Sequence, residues 1–362
     1  MKKWTMSSLR TQTGAVALGL VAVLAFSVLG SAASFINIGE TGSSLLYPLF
    51  NLWINSRSFK RAYPNLRVTT ASTGSGTGIA QAIAGVVQIG ASDAYMSPAQ
   101  LKQNPNMLNI PLAISMQMVN YNLPGLNQRH LKLSGPVLAG IYMGKIRYWD
   151  DSRIASLNAG VQLPHHAIIP VHRTDGSGDT FIFTQYLSFS TPEWNNQINY
   201  GTTVSWPAIP GNIGAVGNPG MVTACTDTAY SIAYIGTSFE TSILRHHLGI
   251  ALLKNRQGNY QLPIARTAKA AAAAMVAKTP KNEMISLVFA PGRDSYPIIN
   301  YEYAIVNRKQ PSARMAAALR ALFTWAISPT GGNAPHFMRR VDFVALPAPV
   351  VKLSQAQIAE IQ

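Results

Sequence analysis

A polar, glycine-rich stretch at residues 172–181 carries side chains that could bind an anion. The apolar residues 167–171 before it predict a buried strand, and the apolar spacing of 181–187 after it predicts a helix with one apolar face. The first N–H groups of such a helix are unpaired and lie at the positive end of its dipole, which favours a bound anion. Arg173 adds a planar set of donors suited to an oxyanion, and Asp175 is placed to orient it. Ordinary turn and cap chemistry would explain the same residues.

The same strand, small-polar turn and helix pattern occurs twice more. Residues 35–38 predict a strand before the turn at 39–44, and residues 67–71 predict one before the turn at 72–78. In each turn, glycines let the backbone approach a ligand closely and hydroxyls can donate hydrogen bonds. Neither the G-x-x-x-x-G-K-[ST] motif nor G-x-S-x-G is present, so a nucleotide P-loop and a serine hydrolase are not supported. A further short strand ends at Asp93, which could face the same cleft or serve only as a turn or cap residue.

Other segments predict the elements that must hold these turns in place. Residues 110–120 predict a long strand, and residues 297–306 predict its returning partner. Residues 268–278 and 312–327 predict helices, whereas the Gly- and Pro-rich residues 207–220 predict a surface loop. We expect Trp149, Tyr186 and Trp206 to serve in core or lobe packing.

The first 33 residues have the pattern of a secretory signal peptide. Three basic residues without an acid precede a charge-free stretch at 14–33, which ends in small residues with Ala33 as the expected last residue removed. An uncleaved anchor is the alternative. No cysteine lies near this boundary to accept a lipid, so we expect a periplasmic, secreted or cell-surface protein. Cys225, the single cysteine of the 362 residues, predicts a buried thiol and no intramolecular disulfide.

The net charge of +15, or +12 without the three bases of residues 1–33, raises the possibility of nucleic-acid binding. The basic residues are scattered, however, and no zinc-finger or RNP-type motif is present, so a cationic surface that attracts small anions is the better interpretation. The adjacent histidines at 165–166 and 246–247 do not have metal-ligand spacing and are expected at the surface. We therefore predict no metal, no cofactor and no nucleic-acid partner.

Taken together, these motifs resemble the PstS family of phosphate-specific substrate-binding proteins, which serve ABC-type phosphate transport. The matching segments are 40–48, 74–79, 90–93, 141–151, 172–181 and 201–207. The resemblance covers nearly all of the chain after residue 33, in the family's order. It implies a type II periplasmic binding protein fold of the α/β class, with two lobes, each a mixed sheet flanked by helices, linked by two crossing segments. The lobes would be 34–115 with 297–362, and 116–296, with a hinge that lets them close on a ligand.

The resemblance also implies a set of phosphate-binding residues. The donors would be Ser44, the Leu45 amide, Ser75, Arg173, Ser177 and the Gly178 amide, with Asp175 orienting the arginine. Asp93 corresponds to the aspartate that accepts a hydrogen bond from a protonated phosphate oxygen. Where many members have Thr after Gly178, this chain has Asp179, which could face the ligand or merely cap the following helix.

An ionised carboxylate only accepts hydrogen bonds, so it repels an oxyanion that has no proton to donate. Asp93 is therefore expected to select hydrogen phosphate over sulfate. If Asp179 also faces the ligand, the site would favour dihydrogen phosphate. We expect a non-enzymatic, monomeric receptor that delivers phosphate to a membrane permease and its ATPase. A phosphatase on the same scaffold and a receptor for another oxyanion remain alternatives.

Overall fold

The computed structural model describes residues 35–362. Within them, short apolar segments form the strands. The predicted signal peptide at 1–33 lies outside the described residues. The strands are β1 (Ile36–Gly42), β2 (Leu66–Ser72), β3 (Ile89–Ser92), β4 (Met107–Asn122), β5 (Lys132–Leu133), β6 (Ile169–Arg173), β7 (Ile213–Ala215), β8 (Ser231–Gly236), β9 (Gly249–Ile250), β10 (Leu252–Lys254), β11 (Tyr260–Gln261) and β12 (Ile299–Asn307).

Helices lie between most of these strands and cover the sheet. They are α1 (Tyr47–Asn55), α2 (Arg57–Ala62), α3 (Ser75–Ile83), α4 (Pro98–Gln103), α5 (Gly135–Tyr142), α6 (Ser152–Ala155), α7 (Gly178–Ser190), α8 (Pro192–Gln197), α9 (Gly217–Asp227), α10 (Glu240–Arg245), α11 (Ala265–Met275), α12 (Ala313–Ala326), α13 (Pro335–Met338) and α14 (Ala348–Ala359). The helices predicted at 268–278 and 312–327 are thus confirmed as α11 and α12, each with slightly different ends. In the part of the chain that is described, no helix is long and apolar enough to cross a bilayer.

The main sheet of the described residues has nine strands in the order β2-β1-β3-β12-β4-β8-β6-β7, with β9 also paired to β4. On one side β1 pairs in parallel with β2 and β3, and on the other β6 pairs in parallel with β7 and β8. Between them, β12 runs antiparallel to both β3 and β4. Because the carboxyl ends of parallel strands share one edge, the turns that follow β1, β2 and β3 lie together.

Strand β4 joins the two halves of this sheet, and its 16 residues are buried almost throughout. Its first part, up to Met116, pairs with β12, and its second part, from Gln117, pairs with β8. The predicted pairing of 110–120 with 297–306 is therefore confirmed. The change of partner falls where the lobe boundary was predicted; the division into lobes itself stays a prediction, since strand pairing does not report relative motion.

The predictions for individual packing and surface residues are confirmed. Trp149 and Tyr186 are fully buried, and Trp206 is partly buried and stacks on His172. Cys225 is a buried free thiol, and burial raises its pKa to about 12. The paired histidines at 165–166 and 246–247 are exposed, as expected.

Two predictions about local structure are wrong. The segment 207–220 is not simply a surface loop, because it contains β7 and the start of α9. Gly217, at φ +64°, turns the chain from β7 into α9 and brings Asn218 to full burial. The helix after residue 177 does not bury one face only: α7 is buried on all sides over 178–188, because it packs between the sheet and its helical neighbours.

Candidate functional site

Three strand–turn–helix units meet at one place, namely the turns after β1, β2 and β6. The second and third turns touch through their backbones, with Gly76 N–H donating to the Gly176 carbonyl at 2.8 Å. Side chains at these positions would separate the turns: a Cβ on Gly74 would lie 2.7 Å from the same carbonyl oxygen. Glycine is thus required here for close approach, and the three polar turns predicted from sequence form one buried cluster.

Arg173, the last residue of β6, lies at the centre of this cluster with 1% of its side chain exposed. Its Nε and Nη2 donate to the two carboxylate oxygens of Asp175 at 2.7 and 2.5 Å, which is the orienting arrangement expected from the sequence. Its Nη1 donates to Asp179 Oδ2 at 2.6 Å and to Ser44 Oγ at 3.3 Å. Burial lowers the pKa of Arg173, but Asp175 and Asp179 together hold that pKa above its usual value. The guanidinium is therefore a fixed, permanently charged donor.

Asp93 directly follows β3 and is buried within the same cluster. Its Oδ1 accepts a hydrogen bond from Ser43 Oγ, and its Oδ2 accepts one from Ser75 Oγ at 3.3 Å. Burial raises the pKa of Asp93, whereas hydrogen bonds from Glu302, Ser43 and Ser75 and the charge of Arg173 oppose this rise. A carboxyl so supplied with donors is held in place as an acceptor.

Asp179 also belongs to the cluster and does not cap α7. The cap is Ser177, whose Oγ accepts from the Thr180 N–H at 3.1 Å. The Asp179 carboxylate instead accepts from Arg173, from Gln117 Nε2 at 3.1 Å and from Asn218 Nδ2 at 2.9 Å. Burial and the nearby Asp93 raise the pKa of Asp179 to about 7, against the opposing charge of Arg173.

The remaining predicted residues lie around these charges. Ser44 Oγ accepts from the backbone N–H and the side-chain Nδ2 of Asn218 at 3.1 and 2.9 Å. Gly178, the first residue of α7, lies so close to Asp93 and Ser75 that a Cβ would overlap both. The Leu45 N–H, by contrast, donates within its own turn, to Ser43 Oγ at 3.1 Å.

Four buried residues of this site were missed by the sequence reasoning, namely Ser43, Gln117, Asn218 and Glu302. Asn218 links Ser44 to Asp179 and accepts from the Gly236 N–H at 2.8 Å. It was missed because Gly and Pro around it indicated a loop. Glu302 had a usable signal, since a charged residue stands in the middle of an otherwise uncharged strand.

Chemically, the cluster offers one guanidinium, several hydroxyl donors and the amino end of α7, together with the carboxyls of Asp93, Asp175 and Asp179, which accept. Among the described residues, none of the hydrogen bonds of Ser44, Ser75 or Ser177 involves a histidine. His172, the nearest in sequence, bonds to the Arg173 carbonyl and stacks on Trp206. Within residues 35–362, no cluster of His, Cys, Asp and Glu has the geometry of a metal site. The arrangement suits the recognition of a small oxyanion that carries protons.

Comparisons with known proteins point the same way. Residues 30–330 match the family model described as a PBP superfamily domain. The chain is 34% identical to the phosphate-binding protein PstS of Methanocaldococcus jannaschii, over 88% of this chain and 85% of that protein. It is 33% identical to the phosphate-binding protein PstS of Pasteurella multocida, over 93% of this chain and 94% of that protein.

Solved structures of the same fold are also similar. A high-affinity periplasmic phosphate-binding protein bound with phosphate, PfluDING, superposes with a TM-score of 0.69 at 20% identity, covering 90% of this chain and 93% of that one. A phosphate-binding protein from Stenotrophomonas maltophilia gives a TM-score of 0.68 at 20% identity, covering 89% and 93%. The predicted fold class is thereby confirmed: the described residues form a mixed α/β structure of the two-lobe periplasmic binding protein type.

Proposed function

The chain belongs to the PstS family within the PBP superfamily, and from this we propose that it binds inorganic phosphate at the buried site around Arg173. The observation that carries the proposal is the pairing of a fixed guanidinium with a buried carboxyl, Asp93, that is surrounded by donors. Donors attract any oxyanion, whereas a buried acceptor tolerates only one that has a proton to give. Phosphate meets both conditions at neutral pH, and fully ionised sulfate meets only the first.

The second buried acceptor extends this argument. Asp179 bonds to the same guanidinium as Ser44, so an anion held by Arg173 and Ser44 would lie against the Asp179 carboxyl. Bound phosphate then needs one proton for Asp93 and another for Asp179. We infer that the protein binds dihydrogen phosphate at least as well as monohydrogen phosphate.

The distribution of site residues supports closure of two lobes over the ligand. Ser44, Ser75 and Asp93 come from the predicted lobe 34–115, whereas Arg173 and Asn218 come from 116–296. Their contacts run across this division, for example from Asn218 Nδ2 to Ser44 Oγ. A site built from both sides of a hinge is sealed from water when the hinge closes, which strengthens every hydrogen bond to the ligand.

We further propose that the protein is a monomeric, non-enzymatic receptor outside the cytoplasmic membrane that delivers phosphate to an ABC-type permease and its ATPase. Support comes from the names of its relatives and from the signal-peptide pattern of residues 1–33. A phosphatase would need a serine activated by a base. The serines of the cluster bond instead to aspartate, arginine, asparagine and backbone groups, so the receptor is favoured.

Calorimetric titration of residues 34–362 with phosphate and with sulfate, at about pH 5 and about pH 7.5, tests the proposal. We expect tight phosphate binding at both pH values and no heat from sulfate. Equal binding of the two anions would mean that the carboxyls do not face the ligand. Turnover of a phosphomonoester by the purified protein would instead support the phosphatase.

A further inference from the structure

Glu302 is a third buried carboxyl at this site, and it lies in the middle of β12 with no exposed surface. Its Oε1 accepts from Ser115 Oγ at 2.5 Å. Its Oε2 is buried and receives no hydrogen bond from an N–H or hydroxyl donor of the described residues. Tyr303 pairs with Ser92 in the antiparallel β3–β12 pair, so Glu302 lies beside Asp93, the residue after Ser92, and the two carboxyls interact side by side. Two ionised carboxylates cannot bond to each other, because both only accept, so this contact requires a proton.

The charges around the site indicate that Glu302 holds this proton. The only guanidinium bonded to the cluster in the described residues, that of Arg173, is already paired with Asp175 and Asp179. Asp93 accepts hydrogen bonds from two serine hydroxyls, which stabilise its ionised form, whereas Glu302 accepts one. An ionised Glu302 beside an ionised Asp93 would be a buried charge without a cationic partner, and its desolvation cost would be heavy. Burial, followed by the charge and hydrogen bond of Asp93, raises the pKa of Glu302 well above its usual value.

The other elements packed against β12 offer no competing titratable partner. Strand β4, the main neighbour of β12, has no Asp, Glu, Lys, Arg or His, and strand β3 leads to Asp93. The negative charge of Asp179, at the start of α7, also favours a protonated Glu302. Helix α3 carries no ionisable residue, and the basic residues of α11, Arg266 and Lys269, are exposed. The neighbouring tyrosines of β12 bond to other groups, Thr279 and the Glu283 and Ile285 carbonyls.

We propose that Glu302, as a protonated acid, is a positioning residue for the phosphate site: it keeps its proton, donates a hydrogen bond to Asp93 and so keeps Asp93 an ionised acceptor. This inference rests on the proposed function, since it explains how Asp93 keeps selecting protonated phosphate in acidic surroundings. Without that donor, Asp93 would take up a proton itself as the pH falls. A protonated Asp93 can donate to an oxyanion, and the site would then cease to reject sulfate.

The test compares Glu302→Leu and Glu302→Gln with the parent chain by calorimetric titration with phosphate and sulfate between about pH 5 and pH 8. In Glu302→Leu we expect phosphate affinity at the acidic end to fall about 10- to 100-fold, with sulfate binding gained. The pH at which phosphate affinity is lost on acidification should move upward, because the pKa of Asp93 rises when its donor is removed. Glu302→Gln, whose amide supplies a donor to Asp93 and an acceptor to Ser115, should restore most of the affinity and the rejection of sulfate.

A buried carboxyl away from the site supplies the matched control. Glu283 is also fully buried and is held by Ser354 and Gln357, so Glu283→Gln should leave phosphate affinity unaltered. If Glu302→Leu does not fold, the infrared difference spectrum between the parent chain and Glu302→Gln decides the matter. The C=O stretch of a protonated carboxylic acid at neutral pH would support the proposal, and carboxylate bands would overturn it.

Tighter phosphate binding in both Glu302 variants would also overturn the proposal, because it would mean that an ionised Glu302 repels the ligand. Unchanged binding and selectivity in Glu302→Leu would do the same. Failure of the proposed function would look different, because the parent chain would then bind no phosphate at any pH.

Discussion

Replacing Asp179 by Asn removes a carboxylate that competes with a bound anion for Arg173 while keeping the shape of the side chain. The amide oxygen can still accept from Asn218 at the position of Oδ2, and the amide N–H at the position of Oδ1 can donate to Gln117 Oε1 once the Gln117 amide turns over. The packing of the buried position therefore changes little. We expect this variant to bind phosphate more tightly than the parent chain at alkaline pH and about equally at acidic pH.

The size of the effect follows from the geometry. Asp179 Oδ2 lies 2.6 Å from Arg173 Nη1, and an anion bonded to the same guanidinium would lie about 5 Å from this carboxylate. At an effective dielectric constant of about 20, two unit charges at that distance repel by about 3 kcal/mol. This corresponds to about a 100-fold difference in affinity.

The sign of the pH dependence follows from the raised pKa of Asp179, which is about 7. Above that pH the parent chain must take up a proton, onto either Asp179 or the phosphate, before the two can lie side by side. Its affinity should therefore fall by up to about tenfold per pH unit above neutrality, whereas that of Asp179→Asn should fall less steeply.

Calorimetry in buffers of different ionisation enthalpy measures this proton uptake directly. At about pH 8.5 the parent chain should take up about one proton more than Asp179→Asn on binding phosphate. Asp294, an exposed residue paired with Arg266, provides the control variant Asp294→Asn, which should behave as the parent chain does. Equal proton uptake by the parent chain and Asp179→Asn would refute the reasoning and remove Asp179 from the site.

Three further outcomes are expected. Asp93→Asn should lower phosphate affinity by about 2 kcal/mol and allow sulfate to bind, as measured by titration calorimetry. Continued rejection of sulfate by this variant would count against the selecting role of Asp93. Asn218→Ala should weaken phosphate binding and destabilise the fold by about 2 kcal/mol, because Ser44 and Asp179 each lose a side-chain donor and the Gly236 N–H loses its acceptor. Urea unfolding checks this, and an unchanged midpoint would contradict it. Burial raises the pKa of Glu40 from 4.5 to about 8. The stability that its neutral form contributes is therefore full below about pH 4.5 and is lost as the pH rises through 8. The free energy of unfolding should decline over that window, and Glu40→Gln should flatten the decline.

Much of the fold was predictable because its signals are local. Apolar alternation and runs predicted β1, β2, β4 and β12, and helical spacing predicted α12, each of which forms close to its predicted position. The Gly-rich turns were equally visible, since close backbone approach restricts the residue type at Gly74 and Gly178. Local patterns also identified Arg173 and Asp175, which are only two residues apart.

The assembly of the site depends on contacts between distant residues, and these left no local pattern. Ser44 meets Arg173 across 129 positions and Asn218 across 174, and the Gly- and Pro-rich surroundings of Asn218 indicated a loop instead. The direction of the Asp179 side chain was equally undetermined, because capping and ligand-facing aspartates occupy the same place in the sequence.

The sequence by itself thus determined which elements form and which turns are able to bind an anion, because periodicity and helix termini are properties of neighbouring residues. Tertiary structure alone decided that Asp93, Asp179 and Glu302, which lie in separate parts of the chain, are buried together. Burial raises the pKa of all three carboxyls, and the charge of Asp93 raises those of Asp179 and Glu302 further; neither effect can be read from the order of residues along the chain. The proton balance of the site is therefore a property of the folded protein.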